Sequence, residues 1–136
     1  MMTKLNIIKV LILSTIFLSA CDKSNDLKDK ICGNSIKYWD YNMMSRDQNV
    51  WFTFSFDKTG HVKKYSFYKN KRWLFEDYPR ETSVRWTVSK DSILTFLESK
   101  NKIVNISDNF IKLIDLRTNE EYILYKAKGN LNIQSE

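Results

Sequence analysis

The chain has 136 residues, of which 22 are basic and 16 acidic, and it carries a net charge of +6. This length allows one folded domain with a single core. The basic residues are scattered and only three glycines are present, so neither a nucleic-acid surface nor a glycine-rich phosphate loop is indicated.

Residues 1–20 have the layout of a secretory signal peptide. Lys4 and Lys9 provide a positive region, and the apolar run that follows is shorter than the ~20 residues that span a bilayer. The sequence Leu18-Ser19-Ala20-Cys21 then resembles the lipobox of bacterial lipoproteins. This resemblance implies that Cys21 is lipidated and becomes the first residue of the mature protein. A soluble secreted protein with a coincidental cysteine is the alternative.

The same resemblance implies a location in the bacterial cell envelope. The N-terminal lipid would anchor the protein to a membrane, with the inner or outer leaflet left open. Residues 21–32 alternate acids and bases and lack apolar periodicity, so we predict that they form the lipidated Cys and a flexible tether. Because lipid occupies Cys21, Cys32 has no intramolecular partner, and a buried apolar role is favoured over a reactive thiol.

Short apolar–polar alternations follow from residue 33, separated by turn residues. The clearest is 50–57, where every second residue is apolar. Further strands are predicted at 35–41, 61–68, 84–88, 93–97, 103–106, 110–116 and 121–126, with an irregular stretch at 69–82 and a polar tail at 129–136. The series predicts an all-β fold, a small antiparallel up-and-down barrel of about eight strands, because closure removes exposed edges.

Strand alternation directs one set of apolar side chains into the barrel. The predicted interior residues are Phe52, Phe54, Phe56, Val84, Trp86, Val88, Leu94, Phe96, Ile111 and Leu113.

An aromatic strand with an Asp/Gly turn at residues 54–62 (FSFDKTGHV) precedes a Trp-containing strand, a polar turn and an aliphatic strand at residues 84–96 (VRWTVSKDSILTF). This order resembles the lipocalin-like domain of bacterial lipoproteins, over about residues 33–126. The resemblance implies a lipocalin-like barrel domain at 33–128, with a cup for a small apolar or lipid ligand.

Catalytic and metal-binding patterns are not indicated. His61 is the single histidine and lies beside a turn glycine, with no second ligand at metal-binding spacing. Asp57, Asp91 and Asp108 fall at turns, where carboxylates bind backbone amides. We therefore predict a non-enzymatic protein without a cofactor.

Two functions remain open. In the first, the barrel is a cup for a small apolar ligand, although its bulky aromatic residues argue for a mostly filled interior. In the second, it is a rigid scaffold that binds a protein or glycan partner, as an envelope inhibitor or immunity-type protein would. The candidate interaction patch is Lys71, Arg72, Trp73 and Phe75, since aromatic residues and Arg are enriched at interaction hot spots. A third possibility is that the aromatic residues of this stretch only cap the barrel mouth.

Overall fold

The computed structural model describes residues 23–42, 50–75 and 84–134, which form a mostly β structure with one short helix. The predicted all-β class is confirmed, whereas the predicted signal peptide and Cys21 lie outside these residues. The helix, α1, covers residues 23–32. The strands are β1 (Ile36–Asn42), β2 (Val50–Asp57), β3 (Val62–Tyr68), β4 (Lys71–Phe75), β5 (Trp86–Val88), β6 (Ile93–Phe96), β7 (Ser99–Ile106), β8 (Phe110–Asp115), β9 (Glu121–Lys126) and β10 (Ile133–Gln134).

The ten strands form one sheet that curls into a half-barrel. Their order is β10-β4-β3-β2-β1-β9-β8-β7-β6-β5, so β1 lies centrally between β2 and β9. All neighbours are antiparallel except β10, which runs parallel to β4. The curl brings His61, before β3, into an antiparallel bridge with Arg85, before β5. The strand count therefore exceeds the predicted eight, because β4 and β10 arise in stretches predicted to be irregular or tail.

Helix α1 replaces the flexible tether that the charge alternation predicts. Leu27 and Ile31 lie one helical turn apart and are buried in the core together with Cys32. Two apolar residues at this spacing are enough to stabilise the helix, because tertiary packing supplies most of the stability of a short helix. Gly33 follows the last helical residue and terminates α1, with a φ of 63° and an N–H that donates to the Asp29 carbonyl at 2.8 Å.

Helix α1 closes one end of the concave face, which we call the closed end. The Trp39 indole N–H donates to the Ile31 carbonyl at 2.8 Å, and the Ser24 hydroxyl donates to the Val88 carbonyl at 3.3 Å. The helix thus spans from β5 to β1. The apolar core lies beneath it and comprises Leu27, Ile31, Cys32, Trp39, Phe54, Phe56, Val62, Trp86, Leu94, Phe96, Ile103, Ile111, Leu113 and Leu124.

The predicted polar tail is part of the fold. The Ala127 N–H donates to the Tyr38 carbonyl at 3.0 Å, and the Arg72 N–H donates to the Asn132 carbonyl at 3.0 Å. Residues 127–134, which we call the strap, therefore run from β1 to β4 and end as strand β10. Backbone pairing with an edge strand orders this stretch despite its lack of apolar periodicity.

Candidate functional site

The concave face keeps a cavity of about 300 Å³ at the end opposite to α1, which we call the open end. Five aromatic side chains line this cavity, or cup: Tyr41, Phe52, Phe54, Phe96 and Tyr122. Leu97, Ser99, Asp115, Glu120 and Glu121 complete the lining. A concavity of this volume, lined by aromatic rings on one part and polar side chains on another, falls at the lower end of the range for small-molecule sites.

Cross-strand pairing places the rings of the cup. Tyr41 of β1 and Phe52 of β2 are directly opposite in the antiparallel register, so both project to the concave face. The Phe54 and Phe96 rings meet edge-to-face with centroids 5.3 Å apart, and those of Tyr41 and Tyr122 do so at 5.7 Å. The Phe54–Phe96 contact joins β2 to β6 across the concave face, whereas the Tyr41–Tyr122 contact lies between the neighbouring strands β1 and β9.

A buried polar network fixes the orientation of Tyr122. Its hydroxyl donates to the Asn101 side-chain oxygen at 2.6 Å, while the Asn101 amide nitrogen donates to the Ser99 hydroxyl at 2.9 Å. Asn101 is fully buried. Burial, followed by the negative charge of Asp115, raises the pKa of the Tyr122 phenol, which therefore remains a protonated donor at neutral pH.

Within the described part of the chain, the charged residues that line the cup are all acidic. Asp115 is two residues beyond the buried Leu113 on β8, so strand alternation directs it to the concave face. Its Oδ1 accepts the Arg117 N–H at 2.8 Å and the Thr118 N–H at 3.3 Å. Glu121 instead pairs with Lys112 at 3.1 Å.

Most of the predicted interior residues lie in the core and not in the cup. Phe54, Phe56, Trp86, Leu94, Phe96, Ile111 and Leu113 are buried in the core cluster. Phe52 and Val88 are half-buried against it. Val84 precedes β5 and lies half-buried outside the cluster, because the strand begins only at Trp86. Of the predicted residues, Phe52, Phe54 and Phe96 also line the cup.

Arg72 does not belong to a surface patch, contrary to the sequence prediction. It is only 5% exposed, and its guanidinium donates to both Asp40 carboxylate oxygens at 3.0 and 3.1 Å. It also donates to the Thr53 hydroxyl at 2.8 Å and to the Leu131 carbonyl of the strap at 2.7 Å. These four residues form a polar cluster on the convex face, because Asp40 and Thr53 alternate with concave-facing neighbours.

The other predicted patch residues lie on the opposite side of β4. Lys71 is exposed, and Trp73 and Phe75 are 41% and 39% exposed. Their register partners on β3 are Tyr68, Ser66 and Lys64, which share the concave side with Phe52 and Phe54. The aromatic shelf formed by Trp73 and Phe75 is therefore a continuation of the concave face at the β4 edge.

Sequence reasoning missed Tyr41, Asn101, Asp115 and Tyr122 as site residues. A signal for Asn101 was present, because it lies two residues before the inward-facing Ile103 and so shares its face. Tyr122 similarly lies two residues before the buried Leu124. The sequence contains no comparable signal for the position of α1. That position decides which end of the concave face remains open.

A second cavity of about 560 Å³ adjoins the cup between the β6–β7 and β8–β9 turns, and it shares Leu97, Ser99 and Asp115 with the cup. Its other lining residues are Glu98, Lys100, Leu116 and Arg117. This lining contains no aromatic ring and both signs of charge. The cup is therefore the better small-molecule site, since apolar and aromatic side chains dominate such sites.

His61 and Cys32 are two further residues considered in the sequence analysis. His61 Nδ1 lies 2.8 Å from the Thr59 hydroxyl in a turn, and no group of three metal-ligating side chains occurs within the described ranges. Cys32 is buried, and burial raises the pKa of its thiol. No helix in the described part of the chain is long and apolar enough to cross a membrane.

Comparisons with protein-family models, with curated proteins and with solved structures find no match to this chain.

Proposed function

We propose that this chain is a non-enzymatic, lipid-anchored binding protein of the bacterial cell envelope, with a lipocalin-like barrel that holds one small apolar ligand. The observation that carries the proposal is the cup of about 300 Å³ lined by five aromatic rings. Rings of this kind contribute apolar area and edge or face contacts to a ligand. A ligand would enter from the open end, because α1 and the core fill the other.

The lipid anchor is proposed from Leu18-Ser19-Ala20-Cys21. Helix α1 covers residues 23–32, so a lipid on Cys21 would be attached within a few residues of the closed end. At most ~3.6 Å of chain per residue separates the two. The cup would then open away from the anchoring bilayer and receive its ligand from the aqueous side.

Binding of the neutral fluorescent probe N-phenyl-1-naphthylamine tests the cup. We expect saturable binding of one probe per chain, and Tyr41→Ala should weaken it about tenfold through loss of a ring contact. Tyr125→Ala is the matched control, because Tyr125 lies opposite Asp40 on the convex face. Absence of saturable binding, or equal losses in the two variants, would remove the support for the cup.

Labelling with radioactive fatty acid tests the anchor separately. The wild-type protein should incorporate the label and fractionate with membranes, and Cys21→Ala should do neither. A wild-type protein without label would refute the anchor and leave the cup untouched.

The exposed shelf supports a second candidate function, a scaffold for a protein or glycan partner. Tyr68 is 63% exposed, and Trp73 and Phe75 lie beside it with the exposed Lys71. Under this function the probe would not bind, and Trp73→Ala would release a partner retained by the wild-type protein.

A further inference from the structure

The charges around the cup indicate more than an apolar ligand. Among the described residues, Asp115, Glu120 and Glu121 are the three charged residues of the lining and no basic residue accompanies them, although the chain as a whole is basic. We propose that the ligand carries one positive charge beside its apolar or aromatic body, and that this charge lies at Asp115 and Glu120. The inference rests on the proposed cup and names the class of ligand for it.

Asp115 is placed to meet such a charge. Both turn amides bind its Oδ1, which leaves Oδ2 without a hydrogen-bond donor among the described residues. The Glu120 carboxylate likewise has no ion pair or hydrogen bond within the described part of the chain. The hydrogen bonds of Glu120 are made by its backbone, whose N–H donates to the Thr118 hydroxyl and whose carbonyl accepts the Asp115 N–H. Glu121 contributes less, because Lys112 already neutralises it.

The aromatic rings of the cup also favour a positive charge on the ligand. A cation within about 6 Å of an aromatic centroid is attracted by the negative face of the ring. The chain itself contains one example at the edge of the cup, where the Lys64 ammonium lies 4.0 Å from the Phe52 centroid. Lys64 is on β3 and outside the cup lining, whereas the acidic lining residues lie at the end of β8 and in the β8–β9 turn. The charge of a ligand is therefore expected near Tyr122 and Asp115.

The ionisation of Tyr122 is consistent with this polarity. Burial and then Asp115 raise the pKa of its phenol, so a negative charge is opposed at this position. The same field stabilises a positive charge brought there by a ligand. Alkylammonium and arylalkylammonium compounds combine this charge with a body small enough for a cavity of about 300 Å³.

Three probes with the same n-octyl tail test the inference by competition with the bound fluorescent probe. We expect n-octylammonium to bind about tenfold more tightly than n-octanol, and n-octanoate to bind more weakly than n-octanol. Asp115→Asn should lower the affinity for n-octylammonium toward that for n-octanol and leave n-octanol itself unchanged. Asparagine keeps the oxygen that accepts the turn amides, so unchanged n-octanol binding also reports an intact cup.

Glu120→Gln should also lower the affinity for n-octylammonium, but by less than Asp115→Asn does, since Glu120 is exposed. Asp91→Asn is the matched control, because Asp91 is an exposed acid in the β5–β6 turn and does not line the cup. Equal affinities for the three probes would overturn the inference while leaving the apolar cup intact. So would a preference for n-octylammonium that persists in both Asp115→Asn and Glu120→Gln. Failure of every n-octyl compound to bind would overturn the cup and the inference together.

Discussion

The two ends of the concave face are built from the same strands and the same alternation, yet the described residues fill only one of them. At the closed end, the Phe56 and Trp86 rings pack edge-to-face with centroids 5.4 Å apart, and Ile31 of α1 covers the core from above. At the open end, Phe52 continues the same face of β2 but remains half-buried beside the cup. The difference shows that α1, and not the strand pattern, determines where the half-barrel retains a cavity.

The two ends also differ in what supports the sheet from behind. Behind the open end, the convex face of β1 and β2 holds the Asp40–Arg72 ion pair, whose side chains are 11% and 6% exposed, together with the fully buried Thr53. The strap adds the Leu131 carbonyl to this cluster. The wall of the cup is thus fixed by charged hydrogen bonds, whereas the closed end is fixed by apolar packing.

The same substitution at two positions on β2 should give the largest difference between the closed end and the open end. Phe56→Ala should reduce the free energy of unfolding by about 3–5 kcal/mol, because it removes a fully buried ring and leaves a cavity. Phe52→Ala should cost about 1 kcal/mol, since its ring is half-buried, and should weaken probe binding instead. Urea denaturation and probe titration of both variants give the comparison. Equal stability losses at the two positions would show that the ends are packed alike.

Adjacent substitutions on β4 test the support behind the cup. Arg72→Met should lower the free energy of unfolding by about 3 kcal/mol, because Asp40 would remain a buried charge with only Thr53 as a donor. Lys71→Met should change it little, since Lys71 is exposed. Urea denaturation measures both. If Arg72→Met were as stable as Lys71→Met, the polar cluster would not support the wall.

The smallest expected effect concerns the turn at the closed end. Burial is the largest single influence on the pKa of Asp57 and would raise it. The hydrogen bonds that it accepts from the His61 N–H and the Thr59 hydroxyl nevertheless hold the pKa below its ordinary value. The stabilisation from this lowered pKa is complete above about pH 4 and is lost as pH falls through the folded-state pKa.

Asp57→Asn should therefore lose less stability than the wild type between neutral pH and pH ~3, by a small amount because the side chain is 29% exposed. Urea midpoints of both proteins at the two pH values measure the difference. If the urea midpoints of the two proteins changed equally with pH, Asp57 would not contribute to the pH dependence of stability.

The sequence predicts the strands well where one face is apolar and the other polar. The alternation of Phe52, Phe54 and Phe56 places β2 with its observed bounds, and the turn residues after Asp57 place β3. Strand β4 was missed because its buried residue is charged and its exposed residues include aromatic ones. Arg72 is buried on one face and Trp73 is exposed on the other, which inverts the usual pattern.

The remaining errors share a physical origin in long-range contacts. Residues 23–32 form a helix because Leu27 and Ile31 pack against the core of the sheet. Strand β10 forms because its backbone pairs with the edge strand β4. The cup depends on the position of α1 and on the Tyr122–Asn101 hydrogen bond, which joins residues far apart in the sequence. Strand alternation can place Asn101 and Tyr122 on the concave face, but local patterns do not show which residues of different elements meet.

We propose that the ligand binds at the open end and that the closed end is structural. The most direct measurement is a titration of isotope-labelled protein with n-octylammonium, followed by amide chemical shifts along the chain. We expect saturable shifts at Tyr41, Phe96 and Tyr122, with Ile31 and Trp86 unchanged. Saturable shifts confined to Trp73 and Phe75, or shifts centred on Ile31 and Trp86, would contradict this proposal.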